Sequence, residues 1–393
     1  MSCPRVKVRE IAEQIRGVTF DKAESSKSPA TGTLPVLRAN NITDSGLVFE
    51  DLVYVPKRRI SSKQLLQEGD VVIAASSGSL DVVGKAAMLK RPFEGGFGAF
   101  CKVLRPRGEV DPSYFAHFFL TSHYRRRISA LAAGANINNL KNEHLDNLEL
   151  PLPPMEEQRR IAAILDQAEA LRAQRRAAIA LLDQLPQAIF LEMFGDPVSN
   201  PMRWPLDKLG TLGTLDRGVS RHRPRNAPEL LGGAHPLIQT GDVANSDGYI
   251  RSYTSTYSDI GLKQSKKWPT GTLCITIAAN IAKTGILTFD ACFPDSVVGF
   301  TSFDRESTQY VQVWLSLLQR TLEDSAPESA QKNINLDILR NLPIPIPPKE
   351  LRGALGARLR TVNLAKTAHQ SALASLDTLC RSLQASIFAR KSE

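Results

Sequence analysis

The chain has 393 residues, 42% of them hydrophobic and 23% charged, with a formal net charge of +9 and a sequence pI near 9.3. That length allows about two domains with ordinary cores, and the positive balance favours an anionic partner such as nucleic acid. The five cysteines form no C-x-x-C pair, the six histidines have no metal-like spacing, and no run approaches the ~18 apolar residues of a membrane span. With no apolar leader at the start, these features describe a cytoplasmic protein with reduced thiols and exclude a disulfide scaffold or zinc framework.

Residues 1–154 read as a first module. It opens at 7–11, passes through a polar, basic loop at 17–33, and reaches a short strand candidate at 34–42 that runs into a polar turn. The run Gly69-Asp70-Val71-Val72-Ile73-Ala74 is β-rich, apolar and bounded by glycine, which predicts a buried strand. A helix is predicted at 114–131. The module closes on Asn147-Leu148-Glu149-Leu150-Pro151-Leu152-Pro153-Pro154.

A long helix is predicted at 155–195. Its seam is read at Ile161, Ile164, Ala168, Leu171, Ala178, Leu182, Leu185 and Ile189, in steps of three and four with Arg175 in the remaining seat. Pro186 should kink or break it, and Gly195-Asp196-Pro197 should stop it. Residues 196–205 read as a linker.

A second module at 206–348 repeats the order. It has a loop at 218–234, a strand candidate at 235–243, a glycine-led strand Gly271-Thr272-Leu273-Cys274-Ile275-Thr276 and a helix at 309–322. It closes on Asn341-Leu342-Pro343-Ile344-Pro345-Ile346-Pro347-Pro348, and Pro348 follows Pro154 by 194 residues. A second long helix, at 349–393, carries Leu355, Leu359, Val362, Lys366, His369, Leu373, Leu376, Cys380, Leu383 and Ile387 in the same rhythm, with Gly353 and Gly356 weakening its start. An internal duplication of this kind decides the architecture. Strands first and helices late predict α+β modules with mixed sheets. The two helices are expected to pack on each other, and an antiparallel pairing would bring Arg175 near Lys366 and His369. Roughly 35 helical residues at ~1.5 Å each reach about 50 Å, somewhat more than the ~34–36 Å of one DNA turn.

The closing phrase Leu150-Pro151-Leu152-Pro153-Pro154-Met155-Glu156-Glu157-Gln158-Arg159-Arg160-Ile161, the helix end Phe190-Leu191-Glu192-Met193-Phe194-Gly195-Asp196-Pro197 and the degenerate second copy resemble the specificity subunits of type I restriction–modification systems, from Val8 to Arg390. The resemblance implies two target recognition domains, each reading one half of an asymmetric bipartite site in double-stranded DNA. It implies an antiparallel coiled coil of the two helices that sets the gap and docks two modification (methyltransferase) subunits. Restriction (motor and nuclease) subunits would complete the complex. On that reading this chain holds no catalytic, cofactor or metal site, and S-adenosylmethionine, ATP and magnesium belong to the partner subunits. The second copy departs from the pattern, with Lys349-Glu350-Leu351-Arg352 set against Glu156-Glu157-Gln158-Arg159. The alternatives are a self-contained DNA methyltransferase and a coiled-coil scaffold without sequence-specific DNA binding.

Individual motifs carry less. Asp111-Pro112-Ser113-Tyr114 is similar to an amino-methyltransferase motif, but it equally reads as an Asp N-cap with proline in the first turn, and no glycine-rich cofactor loop accompanies it. Residues 78–86 imitate a phosphate-binding loop with one residue too many, and Ala86 stands where Ser or Thr is needed. Pro294-Asp295 has no (D/E)-x-K to complete a nuclease motif. Contact with DNA fits the polar loops better. Base readout is assigned to Arg38, Asn40, Asn41, Gln239 and Asp242. Phosphate contact is assigned to Lys57, Arg58, Arg59, Lys85, Arg221, Arg223, Lys266, Lys267 and Lys283. The competing reading of each is a solvated surface residue, and 125–127 is an arginine run facing solvent or a subunit.

Overall fold

The computed structural model describes residues 3–79, 81–133, 139–278, 282–304, 306–325 and 334–389. Leu80 of the glycine-flanked loop and residues 390–393 after the second long helix lie outside them. The chain divides into two units, Met1–Ala177 with His369–Glu393, and Ala178–Ala368. Each unit therefore holds one module and a segment of both long helices.

In the first unit an antiparallel sheet has the order Ala12–Arg16, Cys101–Pro106, Val71–Ala74, Ala86–Met88. The strand Val71–Ala74 is buried on both faces, which explains its unbroken apolar run. Val71 and Ile73 pack with Tyr114 and Phe115 on the helical side. Val72 and Ala74 pack with Leu37 and Phe97 on the other. Those last two belong to a smaller sheet, Val53–Pro56, Thr33–Leu37, Gly96–Phe97. The helix expected at 114–131 is two helices, Pro112–Phe118 and Ser122–Ala133. Thr121 separates them: its hydroxyl donates to the Phe118 carbonyl at 2.8 Å and accepts from the Tyr124 N–H at 3.1 Å, so a local side-chain bond replaces the helical ladder.

The second unit repeats this plan. Its first sheet runs Gly213–Arg217, Val297–Ser302, Leu273–Thr276, Thr284–Leu287, and adds Gly248–Ile250 in parallel at the edge. The smaller sheet runs Ser255–Tyr257, Leu231–Leu237, Ala291–Cys292, and adds Lys267–Trp268. Its helix is Ser307–Ser325. Both closing phrases become strands: Glu149–Pro151 pairs with Arg5–Lys7, and Pro343–Pro345 pairs with Leu206–Lys208.

The long helices are Met155–Phe194 and Lys349–Phe388. Contrary to expectation, the first is not broken at Pro186. Proline forfeits one backbone bond there, but Phe190 and Phe194, buried in the second unit's core, hold the turns beyond it. Gly195, at φ 75°, supplies the left-handed residue that ends the helix. The segment read as a linker is tied down. Asp196 Oδ1 accepts the Val198 and Ser199 N–H groups at 2.7 and 3.0 Å, and Trp204 Nε1 donates to the Phe194 carbonyl at 3.1 Å.

Within each unit the two helical segments lie side by side with residue numbers rising on one and falling on the other. In the first unit Arg172 Nε meets Asp377 at 2.5 Å and Arg175 meets His369 Nδ1 at 3.1 Å. In the second, Lys366 Nζ meets Asp183 at 2.5 Å and Arg358 meets Glu192 at 3.4 Å. The seam on the first helix is corrected in phase. Ile161 and Ala168 are buried and Leu182 half-buried, but Ile164 and Leu171 are 43% and 39% exposed, whereas Leu165 is 2% exposed. The inner positions between those anchors are Leu165 and Arg172, one residue later than expected. Arg172 is stable inside because Glu169 and Asp377 both pair with it. On the second helix Leu359 is buried and Val362, Leu373, Leu376 and Leu383 are half-buried, all on the inward face.

By length and composition the first helix could also cross a membrane, since an 18-residue window reaches a mean hydropathy of 1.3. This corrects the expectation that no run would qualify. Packing takes up part of its apolar surface, with Ile161 and Leu165 in one core and Phe190 and Phe194 in the other, while only 11% of that window is buried.

The joints between module and helix are built alike. Tyr114 Oη donates to the Pro151 carbonyl at 2.8 Å, and Tyr310 Oη donates to the Pro345 carbonyl at 2.8 Å. Phe388 packs 5.2 Å from Tyr114, and Phe190 stacks 5.2 Å from Tyr310. The residue four after the last proline reaches back to the start of the module's helix. Gln158 Oε1 accepts the Asp111 N–H at 2.9 Å, and Arg352 Nη1 pairs with Asp304 Oδ2 at 3.2 Å and donates to the Ser307 hydroxyl. The two phrases therefore register with Gln158 opposite Arg352, one residue away from the alignment expected of the sequence.

Candidate nucleic-acid interface

The turn after the strand Thr33–Leu37 carries the first module's proposed readers. Asn41 is 2% exposed. Its Oδ1 accepts the Arg38 N–H at 2.9 Å, and its Nδ2 donates to the Val48 and Glu50 carbonyls at 3.0 and 2.8 Å. Asn41 is thus corrected from a base reader to the brace of the turn, because every group of its amide is already engaged. Arg38 sits at the rim and binds the Asp51 carboxylate at 2.9 Å, and Asn40 is exposed. Lys57, Arg58 and Arg59 form an exposed single turn. Glu24 takes Arg59 at 2.7 Å and Arg58 at 3.9 Å, while Lys57 has no ion pair among the described residues. Lys85 is not presented freely either; it pairs with Asp44 at 3.2 Å.

In the second module the same turn is braced by Asp242. Its Oδ2 accepts the Gln239 N–H at 2.8 Å and its Oδ1 accepts from the Thr254 hydroxyl at 3.2 Å. Asp242 stays half-exposed and Gln239 exposed, on the edge of a polar hollow of about 610 Å³ that also includes Asn245, Tyr249 and Arg251. The arginine loop is held from beneath. Gln264 Oε1 accepts the Arg221 and His222 N–H groups at 2.7 and 3.0 Å, and the Ser265 hydroxyl donates to the Val219 carbonyl at 2.7 Å. Arg221 is consequently exposed with no ion pair among the described residues. Arg223 donates to the Ser220 and His222 carbonyls at 2.6 and 2.8 Å and lies 3.7 Å from Asp295. Lys266 rests 3.8 Å over the Trp268 ring, which itself stacks 4.8 Å from Phe293. Lys267 beside it is exposed. Lys283 is half-buried and lines a different hollow, with Pro186, Asn363 and Lys366 of the long helices.

Further basic side chains border this surface, Arg225 from the arginine loop itself and Arg251 from outside it. Arg225 pairs with Asp295 at 2.6 Å, and Arg251 lies 5.2 Å over Tyr249 while donating to Asn363 at 2.5 Å. Of the arginine run at 125–127, Arg125 is structural and donates to the Val83 and Asp81 carbonyls at 2.9 and 2.8 Å. Apart from Tyr249, two residues before Arg251, these partners lie tens of residues away, so nothing local in the sequence signals them.

Asp111 accepts the Tyr114 N–H at 2.9 Å, so the methyltransferase-like motif acts here as a helix cap. Near it, Ser113 donates to Asp166 at 2.5 Å and His117 Nε2 lies 3.3 Å from the same carboxylate. Both groups bind the acid and not each other, which is not the geometry of an activated serine. The His117 hydrogen bond, against the opposing push of burial and with help from Ser113 and Lys90, holds Asp166 well below the usual carboxylate range. Among the described residues no His, Cys, Asp and Glu cluster is placed to hold a metal ion. Burial pushes the Cys101 thiol up to about 12, which leaves it unreactive.

A sequence model described as the type I restriction modification DNA specificity domain matches residues 5–181 and 204–362. The chain is similar to the type I restriction enzyme StySPI specificity subunit of Salmonella potsdam, at 44% identity over 182 residues. The EcoKI specificity subunit of Escherichia coli K12 matches at the same identity and length. Each alignment covers 46% of this chain and 39% of the relative, so it takes in well under half of those proteins. The fold is similar to the crystal structure of a type I system S subunit from M. genitalium, with a TM-score of 0.62 at 14% identity, covering 99% of this chain and 96% of that one.

Proposed function

Because the chain belongs to the type I restriction modification DNA specificity family, we propose that it is the sequence-reading subunit of a type I complex and performs no catalysis itself. Each module reads one half of an asymmetric bipartite site in double-stranded DNA. The observation that carries this reading is that one fold occurs twice with equivalent joints but different polar loops. Matching turns, braced by Asn41 in one module and Asp242 in the other, present unlike side chains, as two readers of unlike half-sites require. On this reading Arg38, Asn40 and Gln239 serve the base edges. Arg221, Lys267 and Lys57, all exposed, serve the phosphates.

The two long helices, on this reading, form an antiparallel coiled coil that fixes the gap between half-sites. Their outward apolar residues support a docking role for two modification subunits. Ile164, Leu171, Leu181 and Leu185 on the first helix and Leu364 and Leu379 on the second are all exposed, and a stripe of this kind marks a protein interface. Restriction subunits complete the assembly in the cytoplasm. S-adenosylmethionine, ATP and magnesium act in those partners.

The test is binding of the full chain, with its modification subunits, to the duplex identified by methylome sequencing. Affinity should fall steeply and log-linearly with salt, as phosphate contacts require, and one changed base in either half should cost about 1–3 kcal/mol. A matched heptad inserted near Ala178 and near Ala368 should change the preferred gap and leave both half-sites intact. Salt-independent behaviour, or an unchanged gap, would refute the reader or the ruler respectively.

A further inference from the structure

Behind the arginine loop of the second module lies a slot of about 160 Å³. Leu231, Leu237 and Tyr257 form its apolar side, and Ser220, Asn226 and Gln239 contribute polar groups. Leu237 and Tyr257 are core residues, so the slot leads into the domain and not along its surface. Ser220 is 6% exposed, and its hydroxyl is buried without a hydrogen-bond partner. A buried hydroxyl is costly to leave unpaired, and this one borders an empty space of molecular size. Arg225, on the same lining, is paired with Asp295 at 2.6 Å, and Arg223 lies 3.7 Å from that acid. Arg221 stands exposed in the same loop.

Size narrows the occupant. At ~30 Å³ per water the slot holds about five waters, which suits one flat ring system and little more. Cationic side chains near the opening suit a ring attached to phosphates. A base paired inside a duplex shows the groove only its edge and cannot enter a recess of this depth, whereas a base swung out of the stack can.

We propose that the second module binds one extrahelical nucleobase in this slot. The Ser220 hydroxyl hydrogen-bonds its edge, Tyr257 and the two leucines pack against the ring, and Arg221 holds a flanking phosphate. This inference rests on the DNA-reading function proposed above and deepens it. Part of the second half-site would then be read outside the double helix.

The experiment uses the full chain with its modification subunits and its cognate duplex. 2-Aminopurine is placed at each position of the second half-site in turn, and binding is followed separately by the anisotropy of an end label. The slot predicts a several-fold rise in 2-aminopurine emission at one position. Ser220→Ala and the slot-filling Leu231→Trp should reduce that rise. An abasic nucleotide opposite that position should tighten binding several-fold, since unpairing no longer opposes it. Retention of the duplex with no rise at any position overturns the slot and leaves the reader standing. An equal rise in the wild type and both variants overturns it as well, because the base then lodges elsewhere. If Leu231→Trp blocks subunit assembly while emission stays flat, the slot holds a partner's side chain and the proposal fails. No retention of any duplex removes both the slot and the function beneath it.

Discussion

Four residues after the last proline, the grip on the first module is neutral, made by the Gln158 amide on the Asp111 backbone; the equivalent grip on the second is ionic, made by Arg352 on Asp304 and Ser307. The frame around them is the same, down to a tyrosine hydroxyl on a proline carbonyl. Duplication has preserved where the helix grips the module and has let the chemistry of the grip diverge. The consequences for stability should diverge with it. Arg352 is buried, and removing one partner of a buried pair strands the other. Arg352→Met should therefore cost about 3–5 kcal/mol in urea unfolding, and pairing it with Asp304→Asn should recover part of that loss. Gln158→Ala should cost only about 1–3 kcal/mol. Equal losses at the two joints would show that the charge is incidental.

The two faces of the first helix offer the next contrast. Leu165 is in the core, and Leu165→Ala should cost about 2–5 kcal/mol. Its neighbour Ile164 is exposed, and Ile164→Ala should change stability by no more than about 0.5 kcal/mol. If the docking stripe is as proposed, Ile164→Glu should still weaken assembly with modification subunits, read by sedimentation, while leaving the unfolding midpoint in place.

That contrast also shows where a sequence stops being informative. The repeated proline phrase, the buried strands Val71–Ala74 and Leu273–Thr276 and both long helices were legible, because each depends on local pattern. The phase of the seam was not. Ile164 and Leu165 are both apolar, and the decisive inner residue is Arg172, whose partner Asp377 is 205 residues away. Asn41 was misread for the same reason: a polar residue in a turn looks the same whether it faces DNA or braces its own backbone. The joint was hidden too, since Gln158 meets a group 47 residues upstream.

Acid should act on both units, through carboxylates placed on opposite sides of the grip. In the first unit Asp166 lies on the helix, and the His117 hydrogen bond leads the effects that lower it. In the second Asp304 lies on the module. Burial raises it, but hydrogen bonds from Ser307 and the charges of Arg352 and Lys349 outweigh that and leave it lowered. A carboxylate lowered in the folded state stabilises fully above its unfolded value, 3.8, and less as pH falls through the folded one. Urea midpoints should therefore begin to drop as pH falls below about 4 and keep dropping as pH falls further toward the lower folded values. Asp166→Asn should flatten the part of that drop belonging to the first unit, and an unaltered slope would deny the His117–Asp166 contact its role.

The smallest effects should come from the feature the joints share. Tyr114→Phe and Tyr310→Phe each delete one hydroxyl that donates to a proline carbonyl at 2.8 Å. Neither creates a cavity of any size, so each should cost about 1 kcal/mol, the net value of a single hydrogen bond. Here the two modules should agree, in contrast to Gln158 and Arg352. Each tyrosine ring also packs against the end of a long helix, Phe388 for Tyr114 and Phe190 for Tyr310, and Phe at either position keeps that packing. Equal, small losses would show that the difference between the joints does not lie in the tyrosine hydroxyls. A much larger loss at Tyr310 would mean that the hydroxyl on Pro345, not the ion pair, sets the strength of the second joint.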